Sequence, residues 1–137
     1  MVRLAGAAGL VSRFALAGAA NTGIGFLVIA GLDLGLGLDP RLANAAGYLV
    51  GLGVGFGLNR AFVFRSAERA TATGPRFLLA AAAAFALNQA MLMLAGHVLG
   101  AGGPARLAAQ LLGMSAYTAA MFLACRLWVF RPRSAAA

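Results

Sequence analysis

FLLAAAAAFALNQAMLMLAGHVL, residues 77–99, runs for 23 positions without an arginine, lysine, aspartate or glutamate. As a helix it is long enough for the ~30 Å of hydrocarbon in a bilayer, which takes roughly 20 apolar residues. Runs of that kind occur three more times: Phe14 to about Leu36, about Leu42 to Leu58, and about Leu107 to Phe130. Only small polar groups and Asp33 interrupt the first, and Ala61–Phe64 can extend the second past Arg60. The 137-residue chain is 62% apolar and 10% charged. A soluble domain of that size needs more polar surface, so the apolar excess must face lipid. The expected fold class is all-α, an integral membrane protein of four transmembrane helices.

Two other readings fail. Gly51, Gly53, Gly55 and Gly57 alternate with period two, as in a strand of an outer-membrane barrel. Barrel strands alternate apolar with polar, however, and here both alternating sets are apolar. At the N-terminus, Arg3 and Arg13 flank an Ala/Gly-rich start that has the outline of a signal peptide. The apolar run after Arg13 exceeds the roughly 7–15 residues of a signal h-region, so a retained first helix is expected.

The net charge of +8 would suggest nucleic acid in a soluble protein. Placement matters more than the sum. All eleven basic residues are arginines, and nine fall in three clusters: Arg3 and Arg13; Arg60, Arg65, Arg69 and Arg76; Arg126, Arg131 and Arg133. The two opposite turns carry only Arg41 and Arg106. By the positive-inside rule this split puts both termini and the central loop in the cytoplasm, N-in and C-in. Thiols placed at Thr73 or at the C-terminus should then react only from the cytoplasm, and one at Asp39 only from outside. No soluble basic module exists to bind nucleic acid. The single cysteine, Cys125, excludes an internal disulfide and a thiol metal cluster.

The halves of the chain resemble each other. Arg13-Phe14-Ala-Leu-Ala-Gly aligns with Arg76-Phe77-Leu-Leu-Ala-Ala at an offset of 63. The turns Leu36-Gly-Leu-Asp-Pro40 and Gly100-Ala-Gly-Gly-Pro104 are each followed by Arg-Leu-Ala, Arg41–Ala43 and Arg106–Ala108, and from there an offset of 66 aligns Asn44 with Gln110 and Gly47 with Gly113. The same offset of 66 matches Asn59-Arg60-Ala-Phe62-Val63-Phe64-Arg65 to Cys125-Arg126-Leu-Trp128-Val129-Phe130-Arg131. A shared Arg, spacer, aromatic, Val, Phe, Arg pattern is hard to produce from composition alone. The expected organisation is a single domain over 1–137 holding two parallel two-helix repeats, about 13–65 and about 76–131. Units with an even number of helices share one orientation in the membrane, as in many carriers. A bundle duplicated for stability alone would look the same.

Within the second helix Gly47, Gly51 and Gly55 recur every four residues. Small residues let helices approach closely in lipid, so these three are the expected packing face; a groove for a sliding lipid chain is the alternative. Arg60 and Arg126 sit inside apolar sequence, where a charge persists by snorkelling to the interface or by meeting a partner. A guanidinium at headgroup depth is also suited to a phosphate, which it grips with two parallel hydrogen bonds. With Asp33, Asp39 and Glu68 the only acids, an anion from outside the protein is a reasonable partner. Asn21, Asn59 and Asn88 are amides at membrane depth, fit for interhelical hydrogen bonds or for sugar hydroxyls. His97 and the aromatics Trp128 and Phe130 suit the membrane interface. One histidine, one cysteine and three scattered acids offer neither a nucleophile–base pair nor metal-ligand spacing. No enzyme, metal or cofactor is expected.

Arg13-Phe14-x3-Gly18-x2-Asn21 and Asn59-Arg60-x-Phe62-Val63-Phe64, with Arg126-x-Trp128-Val129-Phe130, resemble the GtrA-like family (GtrA/DPMS transmembrane domain) over about residues 13–131. The resemblance implies a role in cell-surface polysaccharide synthesis in the bacterial cytoplasmic membrane. There a flippase-like protein would move a polyprenyl-phosphate-linked sugar made by a separate membrane glycosyltransferase. It carries over Asn21, Asn59 and Arg60; Cys125 and Ala84 stand where a symmetric second site would need amides. On this reading Arg60 and Arg126 hold the lipid phosphate, while Asn21, Asn59 and Asn88 line the sugar path. Four helices make a thin wall, so a homo-oligomer is expected. A non-transporting subunit that anchors or regulates a glycosyltransferase is the alternative. A small multidrug-type exporter would need an acid deep in the membrane, and Asp33 lies near the end of its helix.

Overall fold

A computed structural model describes residues 2–100 and 102–131. The side chains of Arg3, Arg41, Asn44, Arg106 and Gln110, and all of Arg133, lie outside the described part. Four α-helices follow in order: α1 (Val2–Ala30), α2 (Pro40–Leu58), α3 (Ala70–Leu99) and α4 (Gly103–Ala124). Three π-helical segments of five residues continue α1, α2 and α4: π1 (Gly31–Gly35), π2 (Asn59–Val63) and π3 (Cys125–Val129). No strand occurs among the described residues. Four spans are long and apolar enough to cross a membrane: Gly6–Gly35, Ala45–Val63, Ala70–Leu99 and Leu111–Val129.

Two helices begin earlier than the apolar runs imply. The Ala/Gly-rich N-terminus is already helical from Val2, where α1 extends ahead of Phe14. Pro75 lies inside α3 rather than at its start. A proline there forfeits one hydrogen bond, to the Thr71 carbonyl, while the Arg69 carbonyl accepts from the N–H groups of Ala72 and Thr73 at 3.0 and 3.1 Å. Just before α3, Glu68 accepts a hydrogen bond from Arg76 at 3.3 Å.

The turns follow their sequence. Gly37 adopts φ 64° after π1, a left-handed conformation that favours glycine. Asp39 then caps α2, its carboxylate accepting from the Leu42 N–H at 3.4 Å, with Pro40 in the first helical position. Gly100, at φ 84°, stops α3.

The chain divides into two compact units, Met1–Ala67 and Glu68–Ala137. In the first, α1 packs along α2 and touches π2. A Cβ on Gly47 would overlap the Ile29 side chain and lie 3.2 Å from the Gly25 carbonyl oxygen, so the two backbones nearly touch there. In the second, α3 packs on α4 and π3. Phe77 meets Phe130 at 6.4 Å between ring centroids, tilted by 46°. Phe130 is therefore a core residue, 4% exposed, rather than the interfacial aromatic its neighbourhood in sequence implies. Trp128, at 48% exposure, does face outward.

Burial by alanine and glycine leaves the large side chains outside. Phe26, Leu27, Leu49, Leu79 and Val98 each expose more than 60% of their surface. Soluble monomers rarely expose so many large apolar side chains, and a lipid environment removes the cost.

Orientation can be tested on this frame, but Thr73 is the wrong reporter. It is fully buried, with its hydroxyl donating to the Arg69 carbonyl oxygen at 3.2 Å. Ala67 and Asp39 are both exposed. A cysteine at Ala67 is expected to react with an impermeant maleimide only from the cytoplasmic side, and one at Asp39 only from the opposite side. Labelling of Ala67→Cys from outside would reverse the orientation inferred from the arginines.

Candidate functional site

The site grows from the end of α2. At Asn59 the helix widens from α to π, and the Phe64 N–H donates back to the Asn59 carbonyl oxygen at 2.9 Å. Such widened turns recur at functional sites because they re-aim the side chains they carry. In π2 they leave Asn59 and Val63 buried, Arg60 half-buried, and Ala61 and Phe62 exposed. Arg65 closes the segment at φ 47°, and the Ser66 N–H donates to the Arg60 carbonyl oxygen at 2.9 Å. A non-glycine residue in the left-handed region is uncommon, and here it ends the helical run of π2.

Asn59 is 8% exposed. Its side-chain Nδ2 donates to the Gly55 carbonyl oxygen at 2.8 Å, one turn back. On the other side of the same turn stands Asn21 of α1. A Cβ on Gly55 would lie 3.4 Å from the Asn21 Nδ2, and one on Gly51 would lie 3.9 Å from the same amide. Gly51 and Gly55 thus make room for the Asn21 carboxamide, while the Asn59 carboxamide folds back onto the Gly55 carbonyl. The Oδ1 atoms of Asn21 and Asn59 are both buried, and neither accepts a hydrogen bond among the described residues. A buried acceptor left unsatisfied costs ~1–3 kcal/mol.

The three glycines of α2 therefore differ. Gly47 is the point of closest approach, while Gly51 and Gly55 make room for an amide. A methyl group fits at Gly51, at ordinary contact distance, so Gly51→Ala is expected to leave the helix pair intact. Gly53 and Gly57 face open space.

The second unit places its residues differently. Arg126 is exposed on π3, between buried Cys125 and exposed Leu127. Asn88 stands against α4, where a Cβ on Gly113 would lie 3.1 Å from its Oδ1 and 3.2 Å from Leu92 Cγ. So the first unit brings Asn21, Gly51, Gly55, Asn59 and Arg60 together, while Asn88 and Arg126 belong to the second. Gly113 is a close-contact glycine that composition does not single out. The offset of 66 that pairs it with Gly47 was the available signal. The π-helical turns leave no mark in hydrophobic periodicity.

Against known families, the model of the GtrA/DPMS transmembrane domain matches residues 13–130. The match begins at the arginine ahead of the first apolar run and ends at the phenylalanine buried against Phe77. No curated protein and no solved structure matches the chain.

Proposed function

Because the chain belongs to the GtrA/DPMS transmembrane-domain family, whose membrane proteins are linked to glycoconjugate synthesis, we propose that it is a flippase-like translocase. Its cargo is a polyprenyl-phosphate-linked sugar for cell-surface polysaccharide, made by a separate glycosyltransferase in the bacterial cytoplasmic membrane. The observation that carries this reading is the pair of buried, unpartnered Asn21 and Asn59 amide oxygens beside Gly55, with Arg60 the next residue along π2.

The chemistry of transfer explains why those groups are needed. A sugar leaving water for hydrocarbon loses hydrogen bonds worth several kcal/mol each, unless a protein replaces them. The polyprenyl tail has no such problem and stays against the exposed apolar faces. Arg60 is the phosphate ligand, since a guanidinium pairs with two phosphate oxygens at once and stays charged. Its half-buried position strengthens that pairing relative to an arginine in open solvent. Arg126, more exposed, would hold a phosphate less firmly. Two parallel repeats set each of these arginines at the end of a second helix, and a homo-oligomer supplies the wall that four helices lack.

Inverted membrane vesicles, prepared with and without the chain, test this reading. Translocation predicts equal synthesis of the lipid-linked sugar in both, with a protected lumenal fraction only where the chain is present. A chain that instead anchors or regulates the glycosyltransferase would change the total made and leave its sidedness unaltered.

A further inference from the structure

Equivalent positions in the two units, 63 apart in α1 and α3 and 66 apart in the helices that follow, are used alike at four places. Ala17 and Ala80, Ala43 and Ala109, Gly47 and Gly113, and Val63 and Val129 are all buried. At four other places the units part company. Asn21 is replaced by Ala84, Gly51 by Tyr117, Gly55 by Met121 and Asn59 by Cys125. Ala84, Met121 and Cys125 are buried and Tyr117 is half-buried, so at three of these four places the second unit buries apolar atoms where the first has two amides and a glycine.

The orientation of one amide is fixed. The Asn59 Nδ2 donates to the Gly55 carbonyl oxygen at 2.8 Å, and turning the group over would set oxygen against oxygen. Its Oδ1 is therefore an acceptor, buried and aimed where no described donor reaches it. The Oδ1 of Asn21 is in the same condition across Gly55. Two such oxygens repel an anion and call for hydrogen-bond donors. The next residue along π2, Arg60, has the opposite preference. A ligand that satisfies all three needs hydroxyl donors as well as a phosphate.

Resting on the proposed function, we propose that Asn21 and Asn59 are a paired acceptor site for two hydroxyl groups of the sugar. It occurs once per chain, in the first unit only. The sugar is read here through its hydroxyl donors, and the phosphate separately through Arg60.

The test uses the purified full chain in nanodiscs and two kinds of probe. One is citronellyl phosphate; the others are its phosphodiesters with glucose, galactose and mannose. At least one hexose probe should bind the parent about tenfold more tightly than citronellyl phosphate, as expected for two added hydrogen bonds. Asn59→Leu and Asn21→Ala should each erase most of that preference and leave citronellyl phosphate binding unchanged. If Asn59→Leu also weakens citronellyl phosphate, Asn21→Ala, which copies the second unit's Ala84, decides alone. A preference that survives Asn21→Ala overturns the inference. So does a parent that binds citronellyl phosphate but prefers none of the three hexoses, and that result leaves the phosphate reading standing. Failure of the parent to bind any of the probes removes the proposed function and this inference together.

Discussion

Arg60→Lys is expected to insert and fold as the parent does, yet to lose most translocation, by roughly tenfold or more. The estimate follows from a charge-assisted hydrogen bond, worth about 1.5–3 kcal/mol, when the two-pronged contact becomes a single one. Lysine keeps the charge and the long stem, so it satisfies whatever snorkelling or orientation asks of this position. It lacks the planar fork that matches two phosphate oxygens. The half-buried setting of Arg60, next to buried Asn59 in π2, restricts how a lysine ammonium can compensate. Arg126→Lys should change the rate much less, because Arg126 is exposed and has Cys125 beside it rather than an amide. Protein level and orientation, measured in the same vesicles, separate lost function from lost insertion. Full activity in Arg60→Lys would leave Arg60 an interfacial anchor.

Gly47→Leu is expected to give the largest loss of folded protein among substitutions in α2. Even a Cβ at this position meets Ile29 and the Gly25 carbonyl oxygen, and backbone cannot move aside as a flexible side chain can. Overpacking of this kind costs about 1–3 kcal/mol or more, and here it falls on the contact that joins α1 to α2. Gly53→Leu is the control, since nothing lies within 4 Å of a Cβ there. Thermal unfolding in detergent should show a lowered transition, or none, for Gly47→Leu and a parent-like one for Gly53→Leu. Equal stability of the two would mean that α1 and α2 do not approach as described.

These two positions also mark how far the sequence could be read. Four apolar runs and the absence of alternating polar positions were enough for a four-helix membrane protein. Arg60 stood out because a charge inside apolar sequence has few explanations. The rank order of Gly47, Gly51 and Gly55 did not, since their spacing puts them on one face without saying what lies opposite. Only the placement of Ile29 and Asn21 on α1 separates a contact glycine from glycines that house an amide. Phe130 escaped for a related reason: its neighbours suggest an aromatic belt, but π3 turns it onto Phe77. The extension of α3 ahead of Pro75 was hidden because proline marks a break in most sequences, while near a helix start it costs a single hydrogen bond.

Translocation itself is measured most directly in vesicles that contain this chain and no other protein. A fluorescent short-chain polyprenyl-phosphate hexose is incorporated in both leaflets, and a membrane-impermeant reductant bleaches the outer one. Bleaching is expected to run to completion in vesicles holding the parent chain, at a rate that falls at least tenfold with Arg60→Lys. Bleaching that stops at the outer leaflet, as in protein-free vesicles, would contradict it.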